Sequence, residues 1–549
     1  MASLGALLIL SLLASLDAFK VLIYSPKFGP SHVQIMGRIA DILVNEGMDV
    51  TVLLPKLNPK ITKNGTSLAK TITVETDARV LEFFKDDSHI ATAWTQKFQN
   101  PLADKAFMDK VKDVHAYQCE HTLRQKDILD ALRNDKFDLG LSEVFDLCAM
   151  GLFEEIGLEK HILVNTALLF EKVADIFGAP NLPGVVPGLF GSTSNQMTYF
   201  QRLVNMLKME MSKRWTDSMK DAEEEVVERV LGKKVDFEEK MGQAAFVITN
   251  TDPLLDFPRP ITERLVNIGG ITVPTPKPLD DYWEKVVTQR KATILFSFGS
   301  VAQSYTMPSE MKKAVLETFQ RFPEVTFIWK YEIDEDEVAK DVPNVVTNKW
   351  VPQNDLLAHP NLKLFVTHCG MNSILETSTR GVPLLSIPLF GDQTRNAEMV
   401  KRFGTAKVVD KGALTDADAF EAHIREALEN PSYRKNASRL SQMMAKRPRN
   451  QREELVKHIK FAAEFGSLPE YRIPQLSFLQ YYMLDIIVPF SLVLMVIGAL
   501  VLYGCAKLLQ RLFIAKVEHR EDRSVLLREN YWKKAIVLSD GDELAHWCL

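Results

Sequence analysis

The chain has 549 residues, of which 46% are hydrophobic and 25% are charged. This composition is typical of a folded protein with large buried cores and excludes a mostly disordered chain. The 66 basic and 71 acidic residues give a formal net charge of −5, without a long basic stripe in the body, so we expect no nucleic-acid partner. The cysteines of the body, Cys119, Cys148 and Cys369, predict neither a disulfide framework nor a metal site by their number and spacing.

The amino-terminal segment contains an apolar run from Leu4 to Leu16, followed by Asp17 and Ala18. A run of this length matches the core of a signal peptide and is too short to cross a bilayer. Because no Lys or Arg precedes the run, a buried first strand or helix is the alternative. We expect residues 1–18 to be a signal peptide.

The first half of the chain alternates short β-branched runs with longer amphipathic segments, which is typical of a parallel sheet covered by helices. The pattern predicts a βαβ unit, with a strand at Lys20–Tyr24, a helix at His32–Gly47 and a strand at Asp49–Leu54. Further along, the Pro/Gly-rich stretch at residues 179–191 is either a mobile loop over a site or an ordinary surface loop.

A Pro-rich stretch divides the chain, because Pro274, Pro276 and Pro278 cannot lie together inside a sheet. We predict an N-terminal domain at residues 19–271, a linker at 272–290 and a C-terminal domain at 291–465, where the alternation starts again. The strands predicted for the second domain are Thr293–Phe298, Thr326–Tyr331, Lys363–Val366 and Val382–Ile387.

The segment from Phe365 to Ser373 is a predicted strand that leads through a Gly-containing turn into a helix. This order presents backbone N–H groups and the positive end of a helix dipole to an anion such as a diphosphate. His368, Asn372 and Ser373 add side-chain donors. The alternative is that Asn372 or Ser373 only caps the helix.

The last apolar run, Ile486 to Ala506, carries no charge and is long enough for a spanning helix. Five basic residues follow it closely, so the positive-inside rule predicts a cytosolic tail at residues 507–549 and a lumenal body. Two glycosylation sequons in the body, at Asn64 and Asn436, agree with that side. The five basic residues are Lys507, Arg511, Lys516, Arg520 and Arg523.

A set of short motifs resembles the long signature of the UDP-glycosyltransferase family, in order and in spacing. The similarity extends to Phe296–Ser300, to the Asp256–Pro260 segment of the animal branch, and to the membrane anchor. The resemblance implies an α/β, GT-B-like fold: two doubly wound, Rossmann-like domains face a cleft, and a transmembrane helix follows. The motifs are Trp350-Val351-Pro352-Gln353-Asn354-Asp355, Thr367-His368, Asn372-Ser373, Glu376, Gly381-Val382-Pro383, Asp392-Gln393 and Asn396-Ala397.

The resemblance also implies roles in binding the UDP-sugar. Trp350 would stack on uracil, Gln353 would bond to the uracil or the ribose, and Glu376 would accept from the ribose hydroxyls. The chain departs from the family at Cys369, where a second glycine is common, and a side chain there crowds the phosphates if the position needs a positive φ. The remaining implied contacts are Ser300, His368, Asn372 and Ser373 for the phosphates, and Asp392 and Gln393 for the sugar hydroxyls.

The acidic run Asp334–Glu337 is similar to the motif by which the other large glycosyltransferase fold holds Mn²⁺ or Mg²⁺ on a sugar diphosphate. We interpret the run as a solvated loop. We expect no metal and no cofactor, since the helix terminus and His368 would take the place of the cation.

On the acceptor side, Gly29-Pro30-Ser31-His32 resembles the family segment that carries the catalytic base. Without the resemblance, His32 would more often be an ordinary capping or surface residue. Glu143 lies where the family has an aspartate, and we predict that it orients His32 and stabilises its protonated form. Asp146 is the rival, and a solvated acidic face is the alternative for these carboxylates.

The predicted enzyme is an inverting, glucuronosyltransferase-like UDP-glycosyltransferase that moves glucuronic acid or glucose to a hydroxyl group of a small lipophilic acceptor. Two alternatives stay open: a glycosyltransferase that acts on a membrane lipid, and a catalytically weak protein that binds UDP-sugar. The expected partners are the UDP-sugar, the acceptor and the membrane, with a homo-oligomer left open. The resemblance implies a single-pass type I protein of the endoplasmic reticulum or the secretory pathway.

Overall fold

The computed structural model describes residues 18–85, 93–95, 101–472, 474 and 476–537, without the side chains of residues 101–104, 107 and 535–537. The chain divides into two compact units, a body up to residue 473 and a C-terminal segment from residue 474. Residues 1–17 of the predicted signal peptide lie outside the described part, which begins at Ala18.

The first sheet of the body is parallel, with seven described strands in the order β3-β2-β1-β4-β5-β6-β7. The predicted βαβ start is confirmed, although its helix begins earlier, at Pro30, because the N–H that proline lacks has no helical partner in the first turn. The strands are β1 Lys20–Tyr24, β2 Asp49–Pro55, β3 Lys70–Val74, β4 Leu139–Glu143, β5 His161–Asn165, β6 Val247–Thr249 and β7 Leu265–Asn267. The helices are α1 Pro30–Asn45, α2 Ala78–Phe83, α3 Pro101–Leu123, α4 Lys126–Asp135, α5 Cys148–Ile156, α6 Glu171–Ile176, α7 Tyr199–Leu231 and α8 Phe237–Gln243.

The strand order of the first sheet reverses between β1 and β4, which pair in parallel. In an open α/β sheet, ligands bind outside the carboxyl ends of the strands at such a reversal. β4 is buried throughout and β1 is buried except at its first residue, so the two strands form a rigid floor. The start of α1 and the end of β4 therefore meet over one crevice.

The second sheet is also parallel, with six described strands in the order β10-β9-β8-β11-β12-β13. Its order reverses between β8 and β11, which brings the loop after β8 next to the turn after β11. The strands are β8 Ala292–Ser297, β9 Val325–Lys330, β10 Val345–Asn348, β11 Leu362–Thr367, β12 Leu384–Ser386 and β13 Ala406–Val408. The helices are α9 Asp281–Thr288, α10 Ser309–Gln320, α11 Gln353–Ala358, α12 Met371–Arg380, α13 Gln393–Arg402, α14 Ala417–Glu429, α15 Pro431–Ala445 and α16 Gln451–Phe465, with 3-10 turns at Ser304–Thr306, Lys411–Thr415 and Pro469–Tyr471.

Two helices, α9 and α16, do not fit the predicted linker and domain limits. The other limits stay a prediction. The linker at residues 272–290 is not extended throughout, since α9 occupies its second half and buries Trp283. α16, which the sequence analysis assigned to the second domain, packs on the first sheet, with Leu455 and Ile459 in the core of that sheet. The apolar stripe of a helix fits either sheet, so periodicity does not reveal this return.

The Pro/Gly-rich stretch at residues 179–191 is a loop whose backbone is held by side chains. The buried Asn205 of α7 accepts from the N–H of Gly188 at 2.9 Å. The buried Arg395 of α13 donates to the carbonyl of Pro187 at 3.0 Å. These bonds favour a fixed surface loop over a mobile one.

A disulfide joins Cys119 of α3 to Cys148 at the start of α5. The sequence predicted no disulfide framework and missed this single bond, because the two cysteines are 29 positions apart and meet only through the packing of two helices. Among the described residues, Cys369 and Cys505 are free thiols.

The described part of the C-terminal segment consists of α17, Phe478–Tyr481, and α18, Leu484–Val537. α18 is long and apolar enough to cross a membrane. It continues past residue 506, the predicted end of the span, into the predicted tail without a break. Residues 538–549 of that tail lie outside the described part.

Candidate active site

His32 lies in the first turn of α1 and Glu143 ends β4, so their side chains meet over the crevice of the first sheet. Nδ1 of His32 is 3.3 Å from Oε2 of Glu143. The Glu143 side chain is fully buried, whereas the His32 side chain keeps 17% of its surface exposed. The structure therefore brings the two predicted catalytic residues together, and their roles stay a prediction.

A third side chain, Thr166, joins this pair, and the sequence analysis did not single it out. Oγ1 of Thr166 is 2.7 Å from Nδ1 of His32, and the Thr166 hydroxyl donates to Oε1 of Glu143 at 3.0 Å. Thr166 directly follows β5, the neighbour of β4 in the sheet. The signal available in the sequence was its position at the carboxyl end of a strand beside that of Glu143.

Asp146, the rival carboxylate, has other partners. Its Oδ1 accepts from the Tyr24 hydroxyl at 3.2 Å and from the backbone N–H of Cys148 at 3.1 Å. Burial raises the pKa of Asp146 to about 7, and burial also raises the pKa of Glu223, which interacts with it. The geometry favours Glu143 over Asp146 as the partner of His32.

Aromatic rings surround His32. Phe28 and Phe145 contact its ring edge to face, with centroids 5.6 Å and 4.8 Å away. Phe170 packs against Phe145 at 4.7 Å, and His115 lies 5.2 Å from Phe28. Burial lowers the pKa of His115 to about 4, so this ring is neutral at physiological pH. The candidate base is thus flanked by an apolar surface.

The crevice of the second sheet contains the start of α12. Gly370 is the N-cap of this helix, and no side chain caps it. The interpretation of Asn372 or Ser373 as a cap is therefore wrong, and Oδ1 of Asn372 instead accepts from Asn250 of the first domain at 3.2 Å. The first N–H groups of α12 and the positive end of its dipole are left for a ligand.

His368 packs between Gly299 and Gly370 in the turn before α12. A Cβ on Gly299, whose φ is +79°, would lie 2.7 Å from the His368 ring, so this position requires glycine. Desolvation and the nearby charge of Lys330 lower the pKa of His368 to about 4, which keeps the ring neutral. Lys330 donates to the Gly299 carbonyl at 2.7 Å and thereby holds the loop that carries the exposed Ser300.

Cys369 has a φ of +67°, in the left-handed region. The sequence predicts that the Cys369 side chain crowds the phosphates if this position has a positive φ. The thiol is instead buried in the core, with Sγ 3.8 Å from the carbonyl of Thr367. The departure from glycine therefore strains the backbone and leaves the phosphate side of the turn free of the thiol.

Gln353 and Glu376 form one hydrogen-bonded unit in this crevice. Nε2 of Gln353 donates to Oε2 of Glu376 at 2.6 Å and to Oγ of Ser373 at 3.3 Å. Burial raises the pKa of Glu376, and the bond from Gln353 acts against that shift. The Trp350 side chain is exposed, and the ammonium group of Lys63 lies 4.7 Å from the centre of its ring.

Asp392 and Gln393 lie at the start of α13. Burial raises the pKa of Asp392, while a bond from Asn396 and the charge of His32 act against that shift. The bond from Asn250 of the first domain to Asn372 shows that the two crevices face each other. Oε1 of Gln393 accepts from the N–H of Leu389 at 2.8 Å. The amide oxygen of Gln393 is therefore used within the protein, and its predicted contact to a sugar hydroxyl would fall to the amide nitrogen.

The acidic run at residues 334–337 is an exposed loop with partners of its own. Lys349 pairs with Asp334 at 3.1 Å, and the Tyr331 hydroxyl donates to Asp336 at 2.6 Å. Within the described part of the chain, no three His, Cys, Asp or Glu side chains are grouped as a metal site. The interpretation of the run as a solvated loop is consistent with these contacts.

A family model described as "UDP-glucoronosyl and UDP-glucosyl transferase" matches residues 20–520 of the chain. The chain belongs to this family. As a UDP-glycosyltransferase, it is an enzyme that transfers a sugar. UDP-glucuronosyltransferase 3A1 of Bos taurus is 30% identical to it, over 90% of this chain and 93% of the relative. The protein ugt-47 of Caenorhabditis briggsae, which also bears a UDP-glucuronosyltransferase name, is 30% identical over 91% of this chain and 96% of its own.

Solved structures share the fold of this UDP-glycosyltransferase at lower identity. The glycotransferase of kitacinnamycin has a TM-score of 0.54 and 19% identity, over 82% of this chain and 98% of its own. UGT2 of Phytolacca americana, in complex with UDP-2fluoro-glucose and pterostilbene, has a TM-score of 0.54 and 16% identity, over 81% and 100% of the two chains. These likenesses confirm the predicted GT-B fold.

Proposed function

We propose that this UDP-glycosyltransferase transfers glucuronic acid or glucose from the UDP-sugar to a hydroxyl group of a small lipophilic acceptor. The observation that carries the proposal is the aromatic surface around His32. Phe28 and Phe145 flank the His32 ring, and their crevice faces the second domain, where Asn372 accepts from Asn250 of the first domain. A lipophilic acceptor packs well against such rings while its hydroxyl group reaches the imidazole.

For the donor, we propose that the nucleotide lies along the edge formed by Trp350 and Glu376. The exposed indole face offers uracil about 1–3 kcal/mol of stacking. Glu376, which Gln353 already orients, accepts from the ribose hydroxyls. The diphosphate lies at the uncapped start of α12. The residues proposed to contact the phosphates and the sugar are Ser300, His368, Asn372 and Ser373, and Asp392 and Gln393.

The proposed reaction is a single displacement at the anomeric carbon. Nε2 of His32 takes the proton of the acceptor hydroxyl while that oxygen forms the new bond to the carbon. The bond from the carbon to the diphosphate oxygen breaks, and its electron pair leaves with UDP. The N–H groups at the start of α12 stabilise the charge that develops on UDP, so the proposal includes no metal. One displacement inverts the configuration from α to β.

A donor and acceptor panel tests this function on the detergent-solubilised full-length chain. UDP-glucose, UDP-glucuronate, UDP-galactose and UDP-N-acetylglucosamine are offered with a phenol library, with and without a chelator. We expect transfer of glucose or glucuronate that the chelator leaves unchanged. His32→Gln should lower kcat by about 10²–10⁴-fold, because it removes the general base. UDP binding by that variant, measured by calorimetry, should stay normal.

Two outcomes would contradict the proposal. Transfer to a lipid hydroxyl but to no phenol would favour the lipid-modifying alternative. UDP binding without any transfer by the wild type would favour the binding protein that has lost turnover. Asp392→Asn is the matched donor-side variant: if Asp392 contacts the sugar, it should lose transfer and still bind UDP.

A further inference from the structure

Among the described residues, Thr166 makes the shortest polar contact with the His32 ring. The distance from Nδ1 of His32 to Oγ1 of Thr166 is 2.7 Å, against 3.3 Å to Oε2 of Glu143. Thr166 is 3% exposed and Glu143 is fully buried. The three groups therefore form a closed triangle of polar contacts. Thr166 and Glu143 are too buried to exchange these hydrogen bonds for bonds to bulk water.

The directions of the hydrogen bonds in this triangle follow from counting hydrogens. The Thr166 hydroxyl donates to Oε1 of Glu143 at 3.0 Å, so its single hydrogen lies on that contact. The 2.7 Å contact then needs its hydrogen from His32, which places a proton on Nδ1. Nε2 is thereby left with its lone pair, the tautomer that a general base requires.

We propose that Thr166 is a positioning residue of the transfer reaction, whose hydroxyl group fixes the tautomer of His32 jointly with Glu143. The inference rests on the proposed role of His32 as the base. Glu143 then acts on His32 partly through Thr166. The threonine hydroxyl accepts from Nδ1 of His32 and donates to Glu143.

When Glu143 is replaced by Gln, the proposal predicts that the loss of the Thr166 hydroxyl raises turnover. In Glu143→Gln, the side-chain amide can donate to Oγ1 of Thr166, and the threonine hydroxyl then donates to Nδ1 of His32. That pattern stabilises the tautomer with its proton on Nε2, which cannot accept the proton of the substrate. Adding Thr166→Val to Glu143→Gln removes the hydroxyl that donates to Nδ1 of His32. The double variant should therefore have a higher kcat than Glu143→Gln alone.

The experiment measures kcat, donor KM and UDP affinity for Thr166→Val, Thr166→Ser, Glu143→Gln and the Glu143→Gln/Thr166→Val double variant. Thr166→Val has nearly the shape of threonine and should lower kcat by about tenfold to a hundredfold, the value of one hydrogen bond to a charged group. Thr166→Ser keeps the hydroxyl and should restore most of kcat. UDP affinity and the melting temperature should change little in both Thr166 variants.

Three results would overturn the inference. They are a double variant as slow as Glu143→Gln or slower, a Thr166→Ser variant as slow as Thr166→Val, and a Thr166→Val variant whose donor KM rises at unchanged kcat. The last of these would place Thr166 on the donor sugar. A failure of the proposed function looks different, because the wild type itself would transfer no sugar and His32→Gln would have nothing to lose.

Discussion

Two carboxylic acids three positions apart, Glu143 and Asp146, have opposite surroundings. Glu143 is bonded by His32 and Thr166, whereas Asp146 has one oxygen bonded by Tyr24 and Cys148. The other oxygen of Asp146 is buried without a hydrogen-bond partner among the described residues. The sequence favoured Glu143 and kept Asp146 as the rival, because the chain can turn either way beyond the end of a strand.

Asp146 should make the protein less stable as the pH rises. Burial raises its pKa to about 7 in the folded state, above its usual value, so the folded protein holds a proton that the unfolded chain has released. The stabilisation is complete below the unfolded pKa of about 4 and is lost as the pH rises through about 7. Burial also raises the pKa of Glu223, which adds to the loss of stability as the pH rises.

The measurement compares thermal unfolding of the wild type and Asp146→Asn at several pH values. Between about pH 6 and about pH 8, the wild type should lose on the order of 1 kcal/mol of unfolding free energy relative to the variant. Asp146→Asn should also keep its turnover, because Asp146 does not contact His32. A parallel pH dependence of the two proteins would contradict the assignment of a proton to Asp146.

At the scale of elements, the bond between Cys119 and Cys148 ties α3 to the start of α5. The end of β4 leads directly into α5, so the disulfide braces the segment that follows Glu143. It also agrees with a lumenal body, since disulfides form and persist in oxidising compartments. Neither helix carries a sequence signal for the pairing.

Removal of the disulfide should lower stability. The closed loop spans 29 positions, so loss of the bond costs about 3–4 kcal/mol in the chain-entropy model. For a body of this size, that corresponds to a fall of a few degrees, roughly 3–5 °C, in melting temperature. Cys119→Ser/Cys148→Ser is compared with Cys505→Ser, which removes an exposed free thiol. Equal melting temperatures, with both thiols open to alkylation in the wild type, would show that the bond does not form.

At the scale of the whole molecule, the two domains of the body are joined by charged contacts. Arg395 of α13 pairs with Asp256 of the first domain at 2.7 Å. Arg447, just after α15, pairs with the buried Asp252 at 2.7 Å. The segment at residues 256–260 thus joins the first domain to α13, which begins at Gln393.

We propose that the body is lumenal and the tail cytosolic, because five basic residues follow the apolar run of α18. In sealed microsomes, protease should remove only the tail after Lys507, and detergent should expose the body. Loss of the body without detergent would contradict this topology. Glycosidase treatment of the same samples tests Asn64 and Asn436; the side chain of Asn436 lies in α15 and donates to the Gly404 carbonyl at 3.2 Å.

The sequence by itself determined the features that are local in the chain. Strand and helix periodicity predicted the two parallel α/β domains. The motifs that resemble the family singled out His32, Glu376 and Asp392, whose roles stay predictions. These residues come to the crevices because the carboxyl ends of parallel strands share one edge of a sheet. The apolar α18 follows from composition alone.

Only the tertiary structure decided which side chains meet. Thr166 and His32 are 134 positions apart, and no pattern of apolar residues encodes a hydroxyl group at 2.7 Å from a ring nitrogen. The disulfide of Cys119 and the return of α16 to the first sheet depend in the same way on packing between distant elements. The choice of Glu143 over Asp146 depends on the direction of the chain beyond β4. Periodicity records which face of an element is buried, whereas a contact also requires the partner, and the partner is fixed by the fold.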